Sequence, residues 1–404
     1  MKTKILNSTA LFLASSLCLA ATPQTETQIS FFRGSQLYSG GHLESWAVND
    51  VRVTQIALPV MYSMDLKGLL PGLALDAVTT PVTGFLSGDA TGVPDNTAAF
   101  GLSGTKSRIS YNFKDRLVTT LGVQTPTGPS ELALGQSALE GAFSTRQMHF
   151  RIAGLGSGWN IHYTLSSAVE IADDLIIGGS IGILTTGLYH PTEPDSMYNI
   201  NTGLFELTTD DWNSGNEFSA AAGVDYIVYA GGRKMKMLGD LVYTYFTTDV
   251  WNGSDVFQAG PKWALNATAG TKISQGMYST INLNVIFRQK NTIVDGGFDA
   301  MTGETVDVKR KAGTDVLLSH YLQFIRNKSK KPYVIARIYK FGARESAFTN
   351  RRFGNTLTGG LGAGGRMLLS ARISLNGKAI VDIGGMDGNL LYGAELNGGI
   401  NVRF

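Results

Sequence analysis

The sequence holds a single cysteine, Cys18, and only five histidines in 404 residues. Past its first twenty residues it offers no thiol. Disulfides, thiolate metal sites and a cysteine nucleophile are therefore closed to it. His42, His149, His162, His190 and His320 are scattered along the chain, so no pair sits at the short spacing of a metal motif, and no metal or other cofactor is expected. Charge is also scarce: Asp, Glu, Lys and Arg make up 16% of the chain, against about 25% in soluble domains. The formal net charge of +2 gives no electrostatic case for nucleic acid. Long hydrophobic runs are missing too, so membrane-spanning helices are excluded after the N-terminus.

The N-terminal residues read as an export signal over 1–20. Lys2 and Lys4 form a basic start, "ILNSTALFLASSLCLA" is a short apolar run, and Cys18-Leu19-Ala20 offers small residues for cleavage after Ala20. The mature domain is then 21–404. An exported chain with no apolar helix is either a soluble periplasmic protein or a β-barrel of the outer membrane.

What the sequence does contain, repeatedly, is alternation. Trp159, Ile161, Tyr163 and Leu165 interleave with Asn160, His162, Thr164 and Ser166, and Ile281, Leu283, Val285 and Phe287 with Asn282, Asn284 and Arg288. The closing stretch puts Tyr392, Leu396, Ile400, Val402 and Phe404 on one face and Glu395, Asn397, Asn401 and Arg403 on the other. Period-two alternation over nine or more residues is a strand with one apolar face, at the length that crosses a bilayer. The connections alternate between tight and long, as in outer-membrane barrels. This predicts an all-β, antiparallel up-and-down transmembrane barrel of about sixteen strands, with fourteen the alternative. The spans are 28–39, 51–64, 73–86, 98–112, 116–126, 158–170, 174–189, 216–230, 236–249, 258–272, 277–290, 312–326, 332–344, 357–373, 378–387 and 392–404. The first alternates poorly. "SLNGK" (374–378) reads as an Asn-Gly hairpin turn.

One segment resists the strand reading. In "GPSELALGQSALEGAF" (128–143), Leu132, Leu134, Ala138, Leu139 and Phe143 fall at near-helical spacing within a long outer loop. A short amphipathic helix shielding the rim is the expectation. A loop folded into the lumen that narrows the pore is the alternative.

The non-lipid face supplies the candidate lumen lining: Lys106, Arg108, His162, Glu170, Asp225, Lys262, Lys272, Arg288, Arg337, Arg366, Arg372, Asp382, Glu395 and Arg403, with Asp240 and Asp315 beside them. A barrel this wide needs a water-filled or plugged interior. These residues are either ion-pair ladders that hold its shape or a filter favouring anionic and polar solutes. No signature marks a Ser–His–Asp site, and no catalytic residues are expected. "VDGGFDAMTGETVD" (294–307) fits no defined calcium loop and reads as a solvated outer loop.

The export signal, the alternating strands and the terminal Phe404 together resemble Gram-negative outer-membrane barrels. That resemblance implies an outer-membrane location and a barrel-assembly signal carried by Tyr392, Leu396, Ile400, Val402 and Phe404. It implies contact with outer-membrane lipid, lipopolysaccharide and the barrel-assembly machinery. More narrowly, "SRISYNFKDRLVTTLGVQTPTG" (107–128) and "GWNIHYTLSSAVEIADDLIIGGSIG" (158–182) are similar to strand-turn-strand units of the fatty-acid and aromatic-hydrocarbon transporter superfamily and of phenol-degradation-pathway barrels, which implies passive uptake of hydrophobic or aromatic small molecules. That family's N-terminal plug with its Asn-Pro-Ala motif has no counterpart between residues 21 and 60, so its binding residues are not carried over. The expectation is a non-enzymatic channel for passive diffusion of a small-molecule solute. The alternatives are a closed barrel serving as scaffold or surface anchor, and a membrane-embedded hydrolase.

Overall fold

The computed structural model describes residues 35–404 except 89–95, 115, 130, 131, 133, 144, 145, 149, 153, 155–157, 189–194, 200–203, 209, 210, 231, 299–301, 303, 326, 328 and 346–351. The export signal, His149 and His190 lie outside the described residues.

Sixteen antiparallel strands close into one barrel. They are β1 Gln36–Val48, β2 Val51–Ala57 and Val60–Asp65, β3 Leu73–Thr79 and Pro81–Ser87, and β4 Thr97–Leu102 and Thr105–Phe113. Then come β5 Leu117–Thr125, β6 Asn160–Ala172, β7 Leu175–Thr186, β8 Glu217–Ala230, β9 Arg233–Phe246 and β10 Lys262–Ser274. The last six are β11 Met277–Arg288, β12 Thr314–Phe324, β13 Lys330–Phe341, β14 Thr356–Leu368, β15 Ile373–Met386 and β16 Asn389–Arg403. The ring closes where β1 pairs with β16, from Gln36↔Arg403 to Val48↔Leu391. Closure leaves no edge, which is what a sheet in hydrocarbon requires.

The barrel is inside-out relative to a soluble protein. Leu43, Phe85, Ile109, Ile181, Leu361, Val381, Ile383 and Leu396 are exposed on its outer surface, while Gln55, Thr164, Asp240 and Asp382 are buried within. Aromatic side chains mark the outer ends of the strands: Phe218 pairs with Tyr245, and Trp263 with Phe287. An apolar band with an aromatic border is the signature of a barrel seated in a bilayer, and it places the chain in the bacterial outer membrane.

Two expectations about boundaries are corrected. The first strand is Gln36–Val48, not 28–39. Its poor alternation reflects Gly40 and Gly41 and an inward face carrying Tyr38, His42, Glu44 and Trp46, all buried. "SLNGK" is not a turn: Asn376 and Gly377 lie inside β15, opposite Gly399 and Gly398. The turn comes earlier, where the Leu369 and Ser370 amides both bond the Ile373 carbonyl. Asn-Gly fixes a hairpin only where strand pairing stops.

The strands β2 to β4 each bend midway, at Pro59, at Thr80-Pro81 and at Ser103-Gly104. The wall remains hydrogen-bonded through these bends. Leu58 donates to the Pro81 carbonyl (2.9 Å), Ser103 to Thr80 (3.0 Å) and Gly40 to Pro59 (3.1 Å). In β4 the bend also changes register. Val82 pairs with Gly101, but Asp76 pairs with Arg108, so β4 carries one extra residue. Gly104, at φ +56°, absorbs it. Phe100 and Ile109, an odd number of residues apart, can then both face lipid.

The rim is lopsided. On the outer side β1–β2 and β15–β16, which flank the closing seam, are joined by two-residue turns at 49–50 and 387–388. Above β8 to β12 the longer connections build a separate five-stranded sheet from Trp212–Asn213, Thr248–Trp251, Ser254–Gln258, Asn291–Phe298 and Thr305–Arg310.

Candidate functional site: the loop inside the barrel

The connection between β5 and β6 (126–159) does not shield the rim, as expected; it enters the lumen. Its helix α1, Leu134–Phe143, presents Leu139 and Phe143, one turn apart, to the inner wall. With Leu132, Met148 and Phe150 they pack against Trp46, Val53, Ala57, Val82, Leu86, Ala99 and Leu391. Leu139 and Phe143 are 0% and 2% exposed. The Phe143 and Phe150 rings meet edge to face, with centroids 5.1 Å apart. Small wall residues make room for them. A Cβ added to Gly84 would run into the Phe143 ring.

The residues after α1 bind on both sides of the lumen. Arg146 donates to Asp315 Oδ2 (3.4 Å) and to the Ala312 carbonyl (3.3 Å), at the outer end of β12. The chain then returns. The Arg151 amide donates to Glu44 Oε2 (2.8 Å), the Ile152 amide to Gln55 Oε1 (3.1 Å), and Gln55 Nε2 to the Ile152 carbonyl (2.8 Å). β3, against which Phe143 packs, and β12, which holds Arg146, are nine strands apart one way round the ring and seven the other. The loop therefore ties together nearly opposite walls.

Below the apolar cluster lies a buried ionic network. Arg337 on β13 makes a bidentate pair with Asp382 on β15 (Nε–Oδ1 2.9 Å, Nη2–Oδ2 2.6 Å) and reaches Glu395 on β16 (2.8 Å). Lys378 also meets Glu395 (2.7 Å), and Arg151 from the loop approaches it (4.0 Å). His42 Nε2 lies 2.9 Å from Glu44. Asp382, Glu395 and Glu44 balance Arg337, Lys378 and Arg151, so the buried charges cancel. His42, Glu44 and Glu395 come close enough together to share a cation, but Lys378 and Arg337 already occupy Glu395, and three positive groups surround the trio. The arrangement is an ion-pair network.

The opposite wall is wetter. Asn266 donates to Asp240 (2.7 Å), Thr268 to Asn282 (2.9 Å) and Asn282 to Ser319 (3.3 Å). Asp225 pairs with Lys236 (2.9 Å). At the outer end of this wall Arg288 joins Arg146 on Asp315. Lys262 stands directly across from Arg288.

Among the remaining predicted lining residues, Arg108 pairs with Asp76 on the inner face (3.3 Å). His162 and Glu170 share the face of β6 that buries Thr164, Ser166 and Ala168. Lys106, Lys272 and Arg366 are exposed near strand ends, Arg366 beside Ser374 (3.3 Å). Arg403 lies opposite Gln36. Arg372 falls in the 369–372 turn rather than along a strand, because β15 begins at Ile373. Tyr392, Leu396, Ile400 and Phe404 are exposed on the outer face of β16, and Val402 shares their side. Sequence reasoning missed Arg146, Arg151 and Gln55, whose roles appear only once the loop is inside.

His320 lies on the lipid face, its ring nitrogen 2.9 Å from Ser279 Oγ. A hydrolase triad would need a third group to orient the imidazole. The cross-strand neighbours of His320 are Ile281 and Ala336, neither of which can do so.

The sequence matches no protein-family profile and no curated protein. Solved structures resemble it at low identity. A bacterial polysaccharide outer membrane secretin aligns at 11% identity over 92% of this chain and 98% of its own, with a TM-score of 0.47. The CymD monoaromatic hydrocarbon channel aligns at 11% over 97% and 93%, TM-score 0.43. OprB of Pseudomonas putida aligns at 10% over 92% and 94%, TM-score 0.44.

Proposed function

We propose that the protein is a channel for passive diffusion of small polar solutes across the outer membrane, its lumen narrowed by its own third outer loop. The observation that carries this reading is the loop 126–159, docked on one wall through Leu139 and Phe143 and tied to the other through Arg146. A barrel of sixteen strands is wide enough to conduct water, and an inward loop sets the size of what passes. Polar solutes are favoured over hydrophobic ones on two grounds. The lining beyond the loop is mostly Asn, Thr, Asp, Lys and Arg, with two small apolar patches at Val242, Ala264 and Ile286 and at Val118, Ala168 and Ile176, and the wall is hydrogen-bonded through its bends, which leaves no side exit there. The second reading is a closed scaffold, favoured by how tightly the loop packs against β1 to β4.

Planar bilayers containing the purified protein test the choice. The channel reading expects discrete conductance steps, and steps of larger amplitude when 133–150 is replaced by a short Gly-Ser link. No steps from the native chain, with steps only after the loop is removed, would establish the closed scaffold.

A further inference from the structure

The wet wall changes character toward its periplasmic end, away from the outer loops. One rung of paired residues there runs Lys272, Tyr278, Gln323, Tyr333 and Gly364 across β10 to β14. Side chains alternate along a strand, so these positions share the inward faces of Thr268, Asn282, Ser319, Arg337 and Thr358. The next rung outward sets Tyr321 between Thr280 and Ile335. Three tyrosines on consecutive strands thus fall within two rungs. Their rings lie along the wall and do not point across the lumen. A Cβ added to Gly270 would run into the Tyr278 ring, and one added to Gly364 into the Tyr333 ring. Each of these two rings therefore reaches over the neighbouring strand and rests on a glycine, with its other face left to the lumen. Tyr321 and Tyr333 meet at 60°, with ring centroids 5.7 Å apart. All three tyrosines are half-buried, as is Gln323 between Tyr278 and Tyr333.

We propose that this strip is a stacking site for cyclic sugars passing through the lumen. The inference rests on the channel reading and names its substrate class. A sugar ring presents C–H groups on its faces and hydroxyls around its edge. The tyrosine faces match the first, because they are apolar surface with a polar tip. The Gln323 amide, the Thr280 hydroxyl and the tyrosine hydroxyls match the second, since each both donates and accepts. Apolar surface with a few placed polar groups is how small-molecule sites hold and orient a ligand. A hydrocarbon would cover the same rings but strip Gln323 and the hydroxyls of water without replacing its hydrogen bonds, which opposes binding. An open-chain polyol offers the hydroxyls without the flat face. The strip grips a ring from one side only, so the sugar leaves as readily as it arrives, as conduction requires of an intermediate stop.

The test is the ion current of the reconstituted protein, titrated with glucose and maltose and, as controls, with sorbitol and benzyl alcohol. A sugar held on the strip obstructs the ions, so glucose and maltose should block the current saturably, while sorbitol lowers it only through viscosity. Tyr321→Leu keeps the bulk and removes a ring face, and should weaken the block by about tenfold. Tyr321→Phe should keep most of it. Heat-modifiable gel mobility identifies variants that have assembled. Gln323→Ala, which removes only a half-buried amide, should also weaken the block and keeps the test open if the leucine variant fails to fold. A native channel that conducts but treats sugars like sorbitol, or is blocked by benzyl alcohol and not by sugars, would overturn the strip and leave the channel standing. Block unchanged in both Tyr321→Leu and Gln323→Ala would do the same. A native chain that never conducts would overturn both.

Discussion

The two sides of the lumen are built by different rules. On the seam side, formed by β16 and β1 to β4, the inner wall is dry: Trp46, Val53, Val82, Leu86 and Leu391 are 4% exposed or less and carry the loop's Leu139 and Phe143. On the far side, from β9 to β12, inward groups are mainly Asp, Asn, Thr and Ser joined by side-chain hydrogen bonds, around one small apolar patch of Val242, Ala264 and Ile286. The same loop meets apolar contact on one side and an ion pair on the other. Apolar docking is insensitive to salt, whereas the ion pair at Arg146 is partly solvated and screened. The loop is thus anchored at the seam and only held at the far wall, and each half of that statement can be broken separately.

The largest effect is expected beneath the seam. Arg337→Ala removes the common partner of Asp382 and Glu395, which are 0% and 6% exposed; Asp382 loses its bidentate guanidinium, while Glu395 keeps Lys378. Breaking a buried pair this way costs about 3–5 kcal/mol. The temperature at which the barrel loses its compact gel mobility should fall steeply. Asp382→Asn in the same chain should recover much of that loss, because Glu395 still has Lys378. If Arg337→Ala melts with the native protein, the network is ornamental.

Next is the anchor itself. Phe143→Ala empties the pocket lined by Gly84 and Phe150, at a cost of roughly 3–5 kcal/mol for a buried aromatic. Here the cost falls on docking of the loop and not on the barrel. Conductance should rise and fluctuate while the melting temperature of the barrel barely moves. A drop in melting temperature equal to that of Arg337→Ala would show that loop and barrel are one cooperative unit.

The same contrast explains what could be read from sequence. Alternation revealed the far wall well, because one face of each strand meets lipid and the other water. It failed at β1 to β4, where Val53, Ala57, Val82 and Ala99 face inward yet are apolar. Those residues cover a loop, not a lumen, and their pattern becomes intelligible only with α1 in place. The poorly alternating strands and the amphipathic stretch 128–143 were two halves of one signal. Period-two reasoning treats every inward face as wet, so it could not join them. Arg146 and Arg151 were invisible for the same reason: a charge in a connecting loop reads as solvated until the loop is known to turn inward.

At the far wall the expected effect on stability is small. Arg146→Ala removes a partly exposed pair with Asp315, worth less than about 1 kcal/mol. The melting temperature should stay put, and loop motion, read as current noise, should increase. High salt should reproduce that noise in the native protein but add nothing to the variant. A large loss of stability would mean that the loop is anchored equally at both walls, and the contrast would dissolve.

The smallest effect lies above the far wall, in the outer five-stranded sheet, and it depends on pH. Asp249 accepts a hydrogen bond from the Gly215 amide (2.7 Å), but burial outweighs that bond and raises its pKa to about 6. An unfolded Asp titrates near about 3.9. Between those values the folded sheet binds a proton that the unfolded segment does not, so stability falls as pH rises through that window. Amide exchange of Thr248–Trp251 should therefore be slower at pH 5 than at pH 7.5, once the intrinsic rate is corrected. Asp249→Asn keeps the acceptor and removes the titration, so its protection should be the same at both values. Among the described residues the seam side has no counterpart, because its two-residue turns at 49–50 and 387–388 build no outer sheet to titrate. Equal protection of the native sheet at the two values would mean that Asp249 meets water, and that the far side is wet to its very top.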